Sequence, residues 1–294
     1  MGRALAEAFP ICRETFAEAD AALGESLSRL CFEGPDEQLM LTENTQPAIL
    51  TVSTAVCRLL AERGMTPAFV AGHSLGEYSA HVAAGTIPFG EALQLVRRRG
   101  RYMQEAVPVG AGAMAAILGL DAPEVARACE EAAQGEVVSP ANLNGPGQVV
   151  IAGARGAVER AGVRARALGA RRVLPLPVSA PFHCALMKPA EDRLAPELRA
   201  LAVGDPRVPI VANVDGEPKR DGRAAIEALV RQVSSPVQWE AVVLRLASEG
   251  VTAYVEVGPG TVLSGLVRKI HRGATVTSCA DPADLDAVAA VFGR

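Results

Sequence analysis

Pro67-Ala68-Phe69-Val70-Ala71-Gly72-His73-Ser74-Leu75-Gly76-Glu77-Tyr78 passes from an apolar run, through a glycine-flanked serine, into a helix-like stretch that continues to Ala84. The G-x-S-x-G pattern in that setting reads as a nucleophile elbow. The strand of residues 67 to 71 turns sharply into a helix of residues 75 to 84, glycines tolerate the tight backbone, and the hydroxyl of Ser74 stands above the sheet. The helix aims its free N–H groups and positive dipole end at any oxyanion formed beside that serine. The alternative is an ordinary strand-helix turn, and the rest of the chain decides between the two.

Around the elbow the sequence alternates strands and helices as an α/β fold requires. An amphipathic helix is expected over residues 3 to 23, perturbed by Pro10, and a second over 46 to 64, with Pro47 in its first turn and Gly64 after its last periodic residue. A helix over 90 to 106 follows the elbow. Then comes the order βαββαβ: strand 113 to 118, helix 122 to 133 capped by Asp121, strands 137 to 142 and 148 to 152, helix 157 to 168 and strand 171 to 176. That order is the ferredoxin-like split βαβ arrangement. Strand 208 to 213, helices 223 to 233 and 239 to 249, strand 253 to 257, helix 261 to 270 and strand 274 to 278 complete the reading. The expected organisation is an α/β-hydrolase-like large subdomain in two parts, 1–108 and 179–294, with a ferredoxin-like subdomain, 109–178, inserted between them.

Composition bounds the function. The chain has 294 residues, 49% of them hydrophobic, enough for a sizeable core. A formal charge of −4 gives no general attraction to nucleic acid, and no basic run is interleaved with stacking aromatics. No apolar stretch is long enough to cross a bilayer and the start lacks a signal-peptide core, so a cytoplasmic protein is expected. Cysteines 12, 31, 57, 129, 184 and 279 form no CxxC pair, which fits reduced thiols better than metal ligands or disulfides.

A serine hydroxyl needs a base to become a nucleophile at neutral pH, and four histidines are available. His73 is adjacent to Ser74, but successive side chains diverge at such a turn. His81 and His271 read as packing or surface residues. His183, in Ser179-Ala180-Pro181-Phe182-His183-Cys184, follows the return from the small subdomain on a proline-fixed turn, and the order Ser before His is that of α/β-hydrolases. On the helix over 90 to 106, Ala92, Leu95, Val96, Tyr102 and Met103 share one face, and Arg99 falls on it. An inward guanidinium needs either an internal carboxylate or one that arrives with a substrate. Both readings stand at this point.

Together these segments resemble malonyl-CoA:acyl carrier protein transacylases, the acyltransferases of fatty acid and polyketide synthesis, over essentially the whole chain. The resemblance runs through Thr45-Gln46-Pro47-Ala48, the elbow, Arg99-Gly100, Met103 to Pro108, Gly112 to Ala116, Asn142, Pro146 to Gly153, Pro181-Phe182-His183, Pro236 to Trp239 and Glu256 to Gly260. It implies that Ser74 is acylated, that His183 is its base, and that Arg99 binds the free carboxylate of a malonyl group. It further implies that the backbone carbonyl of Gln232 orients His183, that the Leu75 N–H serves the oxyanion, and that Phe182 accompanies malonyl selection. Gln46 and Asn142 match secondary pocket positions.

The substrate implied is malonyl-CoA and the partner an acyl carrier protein, which brings the phosphopantetheine; no bound cofactor, metal, nucleic acid or membrane is implied, and a monomer is the expectation. Arg97, Arg98, Arg101 and Lys188 are candidates for docking an acidic carrier. Members of the family open with an apolar strand and a GQGSQ-type loop, and the resemblance here begins after that loop, from which low activity and poor solubility are expected. A polyketide-synthase acyltransferase, an esterase-type hydrolase and a non-catalytic carrier-binding module are the rival readings.

Overall fold

A computed structural model describes residues 1–293. The chain begins with α1 (Arg3–Ala8), α2 (Pro10–Leu23), α3 (Leu27–Glu33), α4 (Asp36–Leu39) and α5 (Thr42–Glu62). The single helix expected over 3 to 23 is broken at Phe9, whose extended backbone precedes Pro10 in the first turn of α2, because the residue before a proline avoids the helical region. Pro47 lies inside α5 rather than in its first turn, since the helix starts earlier than its apolar periodicity.

Then come β1 (Val70–Ala71), α6 (Leu75–Ala84) and α7 (Phe89–Glu105). Two glycines set how these elements meet. A Cβ on Gly72 would lie 2.0 Å from the backbone of Gly76, so the elbow closes only without a side chain there. At Gly100 a Cβ would lie 2.7 Å from Glu43 Cα, so α7 crosses the start of α5 in backbone contact.

The next block is β2 (Gly112–Leu118), α8 (Ala122–Ala133), β3 (Val138–Gly145), β4 (Gln148–Ala154), α9 (Arg155–Ala167) and β5 (Arg172–Pro175). Asp121 caps α8 by accepting the Glu124 N–H, as its sequence position suggests. The four strands form an antiparallel sheet in the order β3-β4-β2-β5, the ferredoxin-like order, with α8 and α9 packed on it around their own apolar core.

After it the chain forms α10 (Lys188–Ala200), β6 (Ile210–Val211), β7 (Pro218–Lys219), α11 (Gly222–Gln232), α12 (Trp239–Ser248), β8 (Ala253–Val257), α13 (Val262–Ile270), β9 (Thr275–Cys279) and α14 (Leu285–Phe292). Helix α10 has no counterpart in the sequence reading, because Pro189 and Pro196 disguise it; the first sits in the opening turn and the second inside the helix. Strand β1 pairs with β6 in parallel and β8 with β9 in parallel, and the two pairs belong to separate sheets. The largest core cluster joins α1, α2, α5, α6, α7, α10 and α11, and places the elbow between the helical layer and β6.

The small sheet is stitched to the large part along β3. Val237 N–H donates to Ala141 O at 2.9 Å, and Leu143 N–H donates to Val237 O at 2.9 Å. All six cysteines are free thiols. Among the described residues no helix is long and apolar enough to cross a membrane.

Candidate active site

Ser74 caps α6 with φ 52° and ψ −106°, a combination that costs a non-glycine residue and is held by its neighbours. Its N–H donates to Asn213 Oδ1 at 2.7 Å, and Asn213 Nδ2 donates to Gly72 O at 2.7 Å. Ser74 O accepts from Gln232 Nε2 at 2.8 Å. The serine is therefore clamped on both backbone sides by two side chains from distant segments. Leu75 opens α6, so its N–H has no carbonyl of the helix to serve.

His183, 3% exposed, stands with Nε2 at 2.7 Å from Ser74 Oγ and Nδ1 at 3.0 Å from Gln232 O. A carbonyl only accepts, so the proton of the neutral ring sits on Nδ1 and Nε2 is left with its lone pair toward the hydroxyl. Burial, and then the nearby Arg99 charge, push the imidazole down to about 3, against the carbonyl hydrogen bond that raises it. At neutral pH the ring is an unprotonated base.

Arg99, 2% exposed, donates from Nη2 to Ser74 Oγ at 3.1 Å and to Gln232 Oε1 at 3.0 Å, and from Nη1 to Gln46 Oε1 at 2.8 Å. Each of these partners is uncharged, and its buried Nε has none. Of the two sequence readings of Arg99, the internal ion pair is thus absent. A guanidinium whose charge is not answered by a touching carboxylate can accept one as a partner.

A cleft of about 370 Å³ opens over these groups, lined by Ser74, Leu75, Arg99, Gln46, Met103 and Phe182, with Met40, Thr42, Thr45, Ile49, His73 and Pro177–Ser179 around them. Asn142 does not line it. It is 8% exposed within β3, where its backbone pairs with Val150 and bridges Val237 along the seam between the small sheet and the large part.

His73 turns away from the hydroxyl; its Nε2 lies 2.9 Å from Asn144 Oδ1 and its ring meets that of Trp239 at a tilt of 54°. His81 is wholly buried on α6 rather than at the surface, and His271 meets the Tyr254 hydroxyl. The four candidate docking cations are also answered internally: Arg97 by Glu25, Arg98 by Glu197, Arg101 by Glu43, and Lys188 by Glu191 and Asp192. Among the described residues no three His, Cys, Asp or Glu side chains gather as metal ligands do.

Sequence reasoning did not single out Glu77, Asn213 or the Gln232 side chain. Only Glu77 leaves a trace, since it shares the i, i+4, i+7 face of α6 with His81 and Ala84, all three buried.

The profile of the family described as acyl transferase domain matches residues 1–284. The chain belongs to that family. Among its relatives, the malonyl CoA-acyl carrier protein transacylase of Escherichia coli K12 is 55% identical over 284 residues, covering 96% of this chain and 92% of the relative. The enzyme of the same name from Bacillus subtilis is 47% identical, covering 97% and 90%. Among solved structures, an acyl carrier protein S-malonyltransferase from Vibrio cholerae superposes with a TM-score of 0.96 at 50% identity, covering 98% of this chain and 94% of that one. A malonyl-transacylase solved in complex with a type II polyketide synthase acyl carrier protein matches with the same TM-score at 49% identity, covering 100% and 95%. The acyltransferase therefore shares its two-subdomain α/β fold, with the ferredoxin-like sheet inserted, with these enzymes.

Proposed function

We propose that the protein moves a malonyl group from malonyl-CoA to the phosphopantetheine thiol of an acyl carrier protein through a malonyl-Ser74 intermediate, in fatty acid synthesis. Ser74 Oγ attacks the thioester carbonyl while His183 Nε2 takes its proton. The resulting imidazolium keeps its Nδ1–H on Gln232 O, and the tetrahedral oxyanion faces the Leu75 N–H. Collapse breaks the carbon–sulfur bond, and the departing coenzyme A thiolate recovers the proton from His183. The carrier's thiol then attacks the acyl-serine by the same steps in reverse. The pantetheine arrives on the partner, so the scheme needs no resident cofactor.

The observation that carries this reading is Arg99: buried, with uncharged partners only, and 3.1 Å from the nucleophile. A malonyl carboxylate gives the guanidinium a charged, bidentate acceptor, whereas acetyl leaves it unanswered. An esterase pocket has no use for such a buried cation. Incubation with malonyl-CoA, followed by mass spectrometry, is expected to show a malonyl adduct on Ser74 that disappears when holo carrier protein is added. Release of free malonate as the main product supports hydrolysis instead, and no adduct supports a binding module. Arg99→Ala is expected to lower kcat/KM for malonyl-CoA at least about a hundredfold while acetyl loading gains relative to it; unchanged malonyl loading overturns the role given to Arg99.

The likeness to a transacylase solved with a polyketide carrier favours a second reading, service to a polyketide synthase. Competition between fatty acid and polyketide carrier proteins for the malonyl-enzyme separates the two.

A further inference from the structure

Glu77 enters the core three residues after Ser74 and is wholly buried. Its Oε2 accepts from the Asn213 backbone N–H at 3.1 Å and from Gln232 Nε2 at 2.8 Å. The same Nε2 donates to Ser74 O at 2.8 Å. Both amide hydrogens of Gln232 are thereby committed, and its one oxygen is left facing Arg99 Nη2 at 3.0 Å. The reverse orientation would set an NH2 group against a guanidinium, two donors with no acceptor between them. A carboxyl oxygen beside the Gln232 amide is what excludes that reversal.

The second contact of Glu77 acts on the nucleophile. Asn213 spans the elbow from Gly72 O to the Ser74 N–H, and its own backbone N–H rests on Glu77. One carboxyl group thus holds both residues that clamp the strained serine.

We propose that Glu77 is a positioning residue: by accepting from Gln232 and Asn213 it fixes the oxygen that aims Arg99 and the bridge that holds Ser74. What the network requires is an acceptor at Oε2, not a charge. Burial pushes the Glu77 carboxyl up to about 7, and its Oε1, which has no hydrogen-bond partner, can carry the proton while Oε2 still accepts. The proposal rests on the reading of Arg99 as the partner of the malonyl carboxylate.

The test compares loading of Ser74 from malonyl-CoA and from acetyl-CoA in the wild type, Glu77→Gln and Glu77→Asp. Glutamine keeps an oxygen at the same reach and loses the charge; aspartate keeps the charge and is one methylene too short. E77Q is expected to hold the malonyl-to-acetyl ratio of kcat/KM within about threefold of wild type, whereas E77D loses at least about tenfold, chiefly through KM for malonyl-CoA. Should E77D fail to fold, Glu77→Met, of similar length and without an oxygen, takes its place with the same expected loss. A folded E77D or E77M with an unchanged ratio overturns the proposal, as does an E77Q that falls as far as they do. A wild type that forms no malonyl adduct overturns the proposed function instead, so the two failures are distinguishable.

Discussion

His183 is placed to act as base for Ser74 with its far nitrogen already committed. With Nδ1 donating to a main-chain carbonyl, no aspartate is needed to select the tautomer, and a neutral acceptor leaves the imidazolium less stabilised than a carboxylate would. Burial and the Arg99 charge both disfavour protonation and push the ring down to about 3. Malonyl loading should accordingly show no acid limb between about pH 5 and pH 8. Removing the Arg99 charge relieves the second-largest of the depressing effects, so in R99A the limb moves upward; a pH profile of acetyl-CoA loading, or imidazole nitrogen shifts in NMR, measures it. Ser74, His183 and Arg99 were legible in the sequence because each carries a local signal: a glycine-flanked turn, a proline-fixed loop, and a charge on an apolar helix face. Glu77, Asn213 and the Gln232 side chain were not, because their roles come from contacts across more than a hundred residues of chain.

Elements with their own start and stop signals were readable in advance. Helix α6 begins at the elbow and ends at Gly85 in the left-handed region, α8 is capped by Asp121, and β8 spans the residues its apolar run marked. The strands β1 and β6, each two residues long, are shorter than their apolar runs, because hydrogen-bonded pairing rather than hydropathy sets their ends. Helices α3, α4, α10 and α14 lay in stretches whose prolines or short lengths hide periodicity. The tightest constraint between elements is at the elbow. Gly72→Ala puts a methyl 2.0 Å from Gly76, which the helix start cannot yield without moving Ser74. That substitution is expected to cost about 1–3 kcal/mol of stability and to abolish the Ser74 adduct; a thermal melt and adduct mass together check it, and a G72A enzyme that loads normally refutes the steric account.

Across the whole molecule, buried titratable groups set how the fold answers acid. His81 is fully buried with both ring nitrogens unpartnered, and burial pushes it down to about 3. His183 is lowered to about 3 as well. Unfolded histidines bind protons near pH 6.5, so below that the unfolded chain holds more protons than the folded one, and stability falls as pH drops toward 3. Glu77 works the other way: raised to about 7, it keeps a proton that the unfolded chain releases near 4.5, so its effect lowers stability as pH rises through that range. Burial lowers His73 as well, so three histidines against one glutamate make acidification the losing direction. His81→Leu should raise the melting temperature at about pH 7.5 by removing an unpartnered polar ring, a gain of about 1 kcal/mol. It should also soften the decline to pH 5 by about 2 kcal/mol. Melts at the two pH values test both, and a steeper decline in H81L than in wild type contradicts the assignment.

The seam at Val237 fastens one margin of the small sheet by two backbone hydrogen bonds. Its backbone bonds reach β3, the edge strand; β5 lies at the opposite edge, three strand spacings or about 14 Å away. The segment that leaves β5 carries Phe182 and His183 directly into the cleft. Backbone bonds thus tie one edge of the small sheet to the large part while the chain leaving its other edge delivers His183 to Ser74, so the seating of that sheet sets the spacing of the pair.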